Sequence, residues 1–362
     1  MYLKKITVNN FKNVKEAQII FSPKINCITG INGSGKTNLL DAVYYLSMTK
    51  SYFSTVDHFS INYDSDFANL NGEYAKPGAG VEMISLSFNS KGEKHLKRNS
   101  KSYTRFSDHI GLIPVVMVSP SDTSLIYDSG EERRKFLNAI LSQVDKEYLR
   151  KLQNYNQLLV QRNRLLKTDN ISDDLLSTFN EQLSGNASYI YEKRKELVEK
   201  LLPLVSEYYK MLSGEREAVG IDYRSDLDDG NLNDILSSNL EKDKMLRYTT
   251  SGIQRDDIIF IMNGHPIKRG GSQGQQKSFL ISLKLAQSSV MKIIHGVPPI
   301  LLLDDLFDKL DMLRVEQLLR LVSSDFFGQI FITDSNKVRI SSILEEIDGE
   351  SKSFEILNGV IQ

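Results

Sequence analysis

The sequence predicts an α/β protein: a P-loop mixed sheet with flanking helices, interrupted by an inserted, mostly α-helical arm. Three observations carry that expectation. The pattern "GINGSGKT" at 30–37 stands between a short apolar run and a helix-patterned segment. The runs "PPILLLDD" and "QIFITDS" are almost wholly apolar, as parallel strands buried on both faces are. Between these ends, from about Glu131, apolar residues recur at helical spacing.

In chain order, "YLKKITVNNF" and "AQIIFSPKINCITG" read as strands bounded by Asn and Gly. "TNLLDAVYYLSM" reads as a helix with Leu39, Val43 and Leu46 on one stripe, and "MISLSFN" and "IPVVMVS" as further strands. In the arm, Leu149, Leu152, Tyr155, Leu159 and Leu166 share helical spacing. The pattern breaks at "KTDNISDD" and resumes through Leu176, Phe179 and Leu183. Another helix is expected after Gly185, through Leu197, Leu201 and Leu204, kinked at Pro203. Heptads are too few for a long coiled coil. Strands return as "AVGIDYRSD" and "DDIIFIMNG". The expected domains are a discontinuous head, 1–128 and 249–362, and an inserted arm, 129–248.

Of the 362 residues, 40% are apolar and 25% charged, which suits a globular chain with a sizeable core. A net charge of −1 means that any nucleic-acid surface must be a local patch. No run reaches the roughly 18–20 apolar residues of a membrane span, and "MYLKKITVNN" has no apolar signal core, so a cytoplasmic location is expected. Cys27 is the one cysteine, which excludes disulfides within the chain and cysteine-cluster metal sites; its setting in "INCITG" marks a buried strand residue. The five histidines show no i, i+4 pairing.

The glycines of the P-loop let backbone N–H groups face phosphates without a Cβ in the way, and the following helix adds partial positive charge. The expected nucleotide contacts are Gly30, Ile31, Asn32, Gly33, Ser34, Gly35, Lys36, Thr37 and Asn38. Lys36 would meet the β- and γ-phosphates, and the Thr37 hydroxyl would hold Mg²⁺. Asp304 and Asp305 end an apolar strand, where a carboxylate is costly unless it binds metal or is strongly hydrogen-bonded. Asp304 is expected in the Mg²⁺ shell and Asp305 as the carboxylate that orients or deprotonates the attacking water, as in related ATPases. The cofactors so implied are ATP and Mg²⁺.

"GGSQGQQKS", residues 270–278, contains Ser272-Gln273-Gly274-Gln275, which resembles the S-x-G-Q signature of ABC-type ATPases. The resemblance implies an ABC-type head in which Ser272, Gly274 and Gln275 contact the γ-phosphate bound by the opposite subunit, so that ATP joins a head-to-head homodimer.

Within that class the chain resembles the RecF family over nearly its whole length. "NNFKN" (9–13), "NGSGKTNLLDAVYYLS" (32–47), "SPSD" (119–122), "RRKFLN" (133–138), "GIQRDDIIFIMNG" (252–264), "SQGQQKS" (272–278) and "LLLDDLFDKLD" (301–311) carry it. Lys12 then falls at a nucleotide-contacting position where the family usually has arginine. Ser121 stands where glutamate is common, Ile253-Gln254 where Pro-His is commoner, and Gly270 where an aromatic precedes the signature. Asp311 takes the aspartate position of the D-loop. Transporter ATPases carry a switch histidine after the next strand; here "FITDSN" offers Thr333 or Asp334. The resemblance implies ATP-dependent, sequence-independent binding to gapped or junction DNA, and slow DNA-stimulated hydrolysis used as a switch. It also implies a role in recombinational and SOS-type gap repair, with a partner of the RecR type.

Candidate DNA contacts are Lys91, Lys94, Lys97, Arg98, Lys101 and Arg105, set against Glu93 alone in "KGEKHLKRNSKSYTR". The arm adds Arg150, Lys151, Arg162 and Arg164. The bland alternative is a solvated charged hairpin. An SMC-type head would need a far longer coiled coil, and an OLD-type enzyme an added nuclease domain. The remaining alternative is an ATPase of another ABC/SMC-like system, a transporter subunit or a nucleotide-dependent structural dimer, without a DNA role.

Overall fold

The computed structural model describes residues 1–76, 78, 80–168, 172–214, 217–307, 312–324, 326–336, 350–357 and 359–361. Asp308 and Asp311, the latter the expected D-loop aspartate, lie outside the described residues.

Strands β1 (Tyr2–Phe11) and β2 (Val14–Ile20) form a hairpin whose tight turn holds Lys12 at φ 51°. Strand β3 (Ile25–Thr29) leads into the P-loop and the helix Lys36–Met48. Next come β4 (Phe67–Lys76), β5 (Gly80–Asn89), β6 (Lys94–Arg98), β7 (Lys101–Ser102) and β8 (Val115–Val118). After the long helices follow β9 (Val219–Arg224), β10 (Asp257–Met262) and β11 (His265–Pro266). The chain then runs through β12 (Ile300–Asp304), β13 (Ile330–Asp334), β14 (Ser351–Leu357) and β15 (Val360–Ile361).

The described chain divides into two compact units: Met1–Asp122 with Met211–Gly214 and Leu280–Gln362, and Thr123–Lys210 with Glu215–Phe279. The first holds two sheets. One is antiparallel, in the order β2-β1-β4-β5-β6-β7; the other runs β15-β14-β3-β13-β12-β8, parallel except for β15. Every residue of β3, β12 and β13 is buried, as their unbroken apolar runs require. Cys27 is among them, and burial pushes its thiol up to about 12, so it stays protonated and unreactive.

The helix Lys36–Met48 packs against β1, β4 and β5 of one sheet and β8, β12 and β13 of the other. Eleven of its thirteen residues are buried, so the single apolar stripe expected from Leu39, Val43 and Leu46 becomes burial all round. A helix between two sheets has no solvent face to keep polar.

The second unit carries the helices Gly130–Val144 and Lys146–Leu165, capped by the Ser129 and Asp145 side chains. The helix Asp173–Ser213 runs 41 residues without the expected break after Gly185. One interior glycine costs only about 1 kcal/mol relative to alanine, and buried Leu183, Ala187 and Ile190 around it outweigh that. A small antiparallel sheet, β11-β10-β9, completes this unit. Residues 249–279 group with it, so "GIQRDD" and "SQGQ" both stand here.

Candidate functional site

The P-loop backbone takes shapes that only glycine tolerates. A Cβ on Gly30 (φ 154°) would lie 2.5 Å from the Ile356 carbonyl oxygen, and one on Gly35 (φ 117°) 2.8 Å from the Asn13 amide. Lys36 is 6% exposed and donates from Nζ to the carbonyls of Gly30 (2.6 Å) and Ile31 (3.1 Å), which holds its cation over the loop. Ile31, Asn32 and Gly33 form the exposed rim. The Ser34 hydroxyl is buried and, among the described residues, has no hydrogen-bond partner. A buried polar orphan beside a glycine cradle and a lysine fits an anionic phosphate chain.

Asn13 was not singled out by the sequence, yet it clamps this loop. Its Nδ2 donates to the Ser34 carbonyl (3.0 Å), and its Oδ1 accepts from Asn38 Nδ2 (2.7 Å). Its place as the last residue of "NNFKN" is the one signal that could have drawn attention to it.

Sheet order builds the carboxylate end. Strand β13 lies between β3 and β12, with Thr333 paired to Asp304 on one side and to Ile28 on the other. Thr37 Oγ1 donates to both Asp304 oxygens, at 2.9 and 3.0 Å. Thr333 Oγ1 donates to Asp304 Oδ1 (2.8 Å) and accepts from the Asp305 backbone N–H (3.0 Å). Asp305 itself sits at φ 47°, a region few non-glycine residues visit. Burial holds the Asp304 carboxyl above the usual carboxylate range, and the Asp305 charge adds to this. Hydrogen bonds from Thr333 and Thr37 and the Lys36 charge oppose it. A hydroxyl and one buried carboxylate suit Mg²⁺, which takes one or two protein groups and fills its shell from phosphate and water.

Lys12 is anchored within the protein. Its Nζ pairs with Asp41 Oδ2 at 2.6 Å and lies over the Phe53 ring at 5.2 Å. In "SPSD", Asp122 is turned inward to Lys284 (2.8 Å), while Ser121 is exposed. Lys284 also donates to the Met117 carbonyl and the Tyr52 hydroxyl. Nothing local in the sequence marks Lys284, because its partners stand far along the chain.

Ser272 is exposed and caps the helix Gln273–His295 reciprocally: its N–H donates to Gln275 Oε1 (2.7 Å) and its hydroxyl accepts from the Gln275 N–H (3.3 Å). Gln275 Nε2 also reaches Glu217 (2.6 Å). Gln276 is buried and ties the preceding turn, donating to the carbonyls of Gly271 (2.9 Å) and Ile267 (3.2 Å). This explains the glutamine pair: one serves the cap, the other the turn beneath it. Gly274 lies in the first turn of the helix.

The paired arginines are used inside the second unit. Arg133 binds Asp257 in a two-pronged pair, at 2.6 and 2.9 Å, and Arg134 donates to the Asp256 carbonyl. Arg162, expected among the arm's exposed cations, is fully buried against Asp243 at 2.8 Å. Charge spacing alone cannot tell a solvated arginine from a paired interior one. Arg150 and Lys151 lie by Glu147, and Arg164 is exposed.

The basic hairpin splits by face. Lys94 turns inward to Asp57 (2.9 Å), the Tyr45 hydroxyl (2.9 Å) and the Thr49 carbonyl (2.5 Å), and burial lowers its pKa. Arg98 shares Glu82 with Lys76. Lys91, Lys97, Lys101 and Arg105 are exposed. Strand alternation sends Lys94 and Arg98 to the same side as buried Leu96.

The family model described as the RecF/RecN/SMC N terminal domain matches residues 2–349. The chain is 46% identical over 362 residues to the DNA replication and repair protein RecF of Parabacteroides distasonis, covering 100% of this chain and 99% of that one. It is 47% identical to the protein of the same name from Azobacteroides pseudotrichonymphae, covering 100% and 99%. A solved structure of the recombination mediator protein RecF with ATP, in the RecFOR pathway, superposes with a TM-score of 0.90 at 29% identity, covering 100% of this chain and 97% of that one. Full-length identity of that order, on a head built around one P-loop and one buried carboxylate end, makes the chain a member of the RecF family of DNA replication and repair proteins.

Proposed function

We propose that the chain is an ATP-dependent DNA-binding protein of recombinational gap repair, whose slow hydrolysis resets an ATP-driven homodimer. The observation that supports it most is the hydrogen-bonded line from Thr37 through Asp304 and Thr333 to the Asp305 backbone. It joins the phosphate loop to the Asp304 carboxylate and to the backbone of Asp305. When bound, ATP with Mg²⁺ supplies the reactive γ-phosphoryl group and a shared charge that two subunits can grip.

The chain's own residues divide the remaining work. Lys36 and the loop N–H groups, from Gly30 to Asn38, neutralise the phosphates, with Lys12 at the neighbouring β1–β2 turn. Thr37 and Asp304 hold the cation. Asp305 orients the attacking water and takes its proton. Ser272, Gly274 and Gln275 face the partner's nucleotide. DNA is held by its backbone through Lys91, Lys97, Lys101 and Arg105, so binding follows shape rather than sequence. DNA-stimulated turnover, a RecR-type partner, an SOS-type role and a cytoplasmic location belong to the same reading.

Asp305→Asn tests the assignment. The variant should bind ATP and Mg²⁺ as the parent does, because Asp304 remains, yet lose hydrolysis and keep its dimers. Unchanged turnover would remove Asp305 from the role. Lys36→Met serves as the companion and should abolish ATP binding; normal binding there overturns the phosphate-loop reading itself.

A further inference from the structure

In "GIQRDD" the fold uses every polar side chain but one. Gln254 bonds the Tyr155 hydroxyl, Asp256 takes Arg194 (2.5 Å) and the Tyr223 hydroxyl (2.6 Å), and Asp257 takes Arg133. The Arg255 guanidinium makes no hydrogen bond or ion pair among the described residues; it lies over the Tyr248 ring, 5.6 Å from its centre.

The turn that carries Tyr248 is pinned from beneath. Fully buried Arg162 holds Asp243 (2.8 Å) and the Thr249 hydroxyl (2.7 Å). Asn163 Oδ1 accepts from the Thr249 N–H and hydroxyl, both at 2.7 Å. Asp243 Oδ1 accepts from the Thr250 N–H (2.9 Å) and hydroxyl (2.7 Å). A buried ion pair adds little net stability compared with apolar packing. What this one provides is a fixed shape, with Arg247 in the left-handed region at φ 60° and Tyr248 turned outward, 40% exposed. Among the described residues, Arg247 likewise has no ion pair or side-chain hydrogen bond.

We propose that this turn is a stacking platform for an unpaired nucleotide: Tyr248 takes the face of a base, and Arg255 and Arg247 take the flanking phosphates. A rigid ring beneath a guanidinium offers a planar partner to any base, and two unpaired guanidinia match phosphate in two-pronged geometry. A duplex keeps its bases stacked inside and presents nothing for Tyr248 to hold. The platform therefore selects single-stranded nucleic acid. It rests on the DNA-binding reading above and adds a second surface, in the other unit from the basic hairpin, with a stated preference for strand form.

The test uses the full chain, a labelled oligothymidylate of about 15 nucleotides and a duplex of the same length, read by fluorescence anisotropy. Tyr248→Ala should weaken single-strand binding by about 10-fold or more and leave duplex binding unchanged, while Tyr248→Phe keeps the parent affinity. Arg255→Gln should flatten the single-strand salt dependence by roughly 0.7 in log–log slope. Thermal melting confirms that the exposed substitutions leave the fold intact. Unchanged single-strand affinity in both Tyr248→Ala and Arg255→Gln overturns the proposal, as does a loss shared equally by the duplex. If poly-glutamate binding falls while oligonucleotide binding holds, the surface belongs to an acidic protein partner instead. A parent protein that binds duplex alone sinks the platform and spares the DNA reading; one that binds neither form sinks both.

Discussion

Thr333 lies on β13 beside Asp304 and is, with Asp334, one of the two residues that "FITDSN" offers where transporter-type ATPases keep a switch histidine. A threonine cannot titrate there, but its hydroxyl gives one hydrogen bond and accepts others. Here it donates to Asp304 and accepts from the Asp305 N–H, so it sets the Asp304 carboxylate and the left-handed backbone of Asp305 together. Thr333→Val keeps the volume and removes both bonds, which costs about 1–3 kcal/mol in unsatisfied groups. The expected result is a kcat about 10-fold lower or worse with nucleotide affinity little changed, and recovery in Thr333→Ser. A steady-state comparison of the three proteins checks it. If valine turns over ATP like the parent, Thr333 does no more than fill space.

At the scale of elements, the basic hairpin separates residues that composition treats alike. Lys94 and Arg98 are neutralised on the packed face, so only the exposed cations should register in salt titrations. Replacing Lys97, Lys101 and Arg105 with glutamine should lower the duplex slope by roughly 0.9 per lost phosphate contact. Arg98→Gln should leave that slope alone. An unchanged slope in the triple variant returns the hairpin to a solvated face.

Strands β3, β12 and β13, the P-loop and the two terminal aspartates were legible because each leaves a local mark: an unbroken apolar run, glycines where a Cβ cannot fit, carboxylates after a buried strand. The all-round burial of Lys36–Met48 and the unbroken helix across Gly185 were not legible, since both depend on what packs against them. Arg162 was misread for the same reason. Its partner Asp243 stands far along the chain, and no local pattern announces a distant partner.

For the whole molecule, the phosphate loop belongs to one compact unit and the signature serine to the other, and Ser272 caps its own helix. Ser272→Arg should leave ATP binding by the single chain intact, because Lys36, Thr37 and Asp304 are untouched. It should abolish ATP-driven dimerisation, since the longer side chain would enter the space of the partner's γ-phosphate. Sedimentation with and without ATP reads both properties, and dimers of parental strength would show that "GGSQGQQKS" meets no neighbouring nucleotide.

The helix held between the two sheets has a consequence for how such a protein can change over generations. With eleven of thirteen positions enclosed, it offers almost no site at which a substitution is silent. Variation in how tightly nucleotide is gripped, or how fast it is released, has little room to enter through that helix. It must enter through the segments at its two ends: the β1–β2 turn with Lys12 and Asn13, and the stretch from Ser51 to Asp57 that follows it.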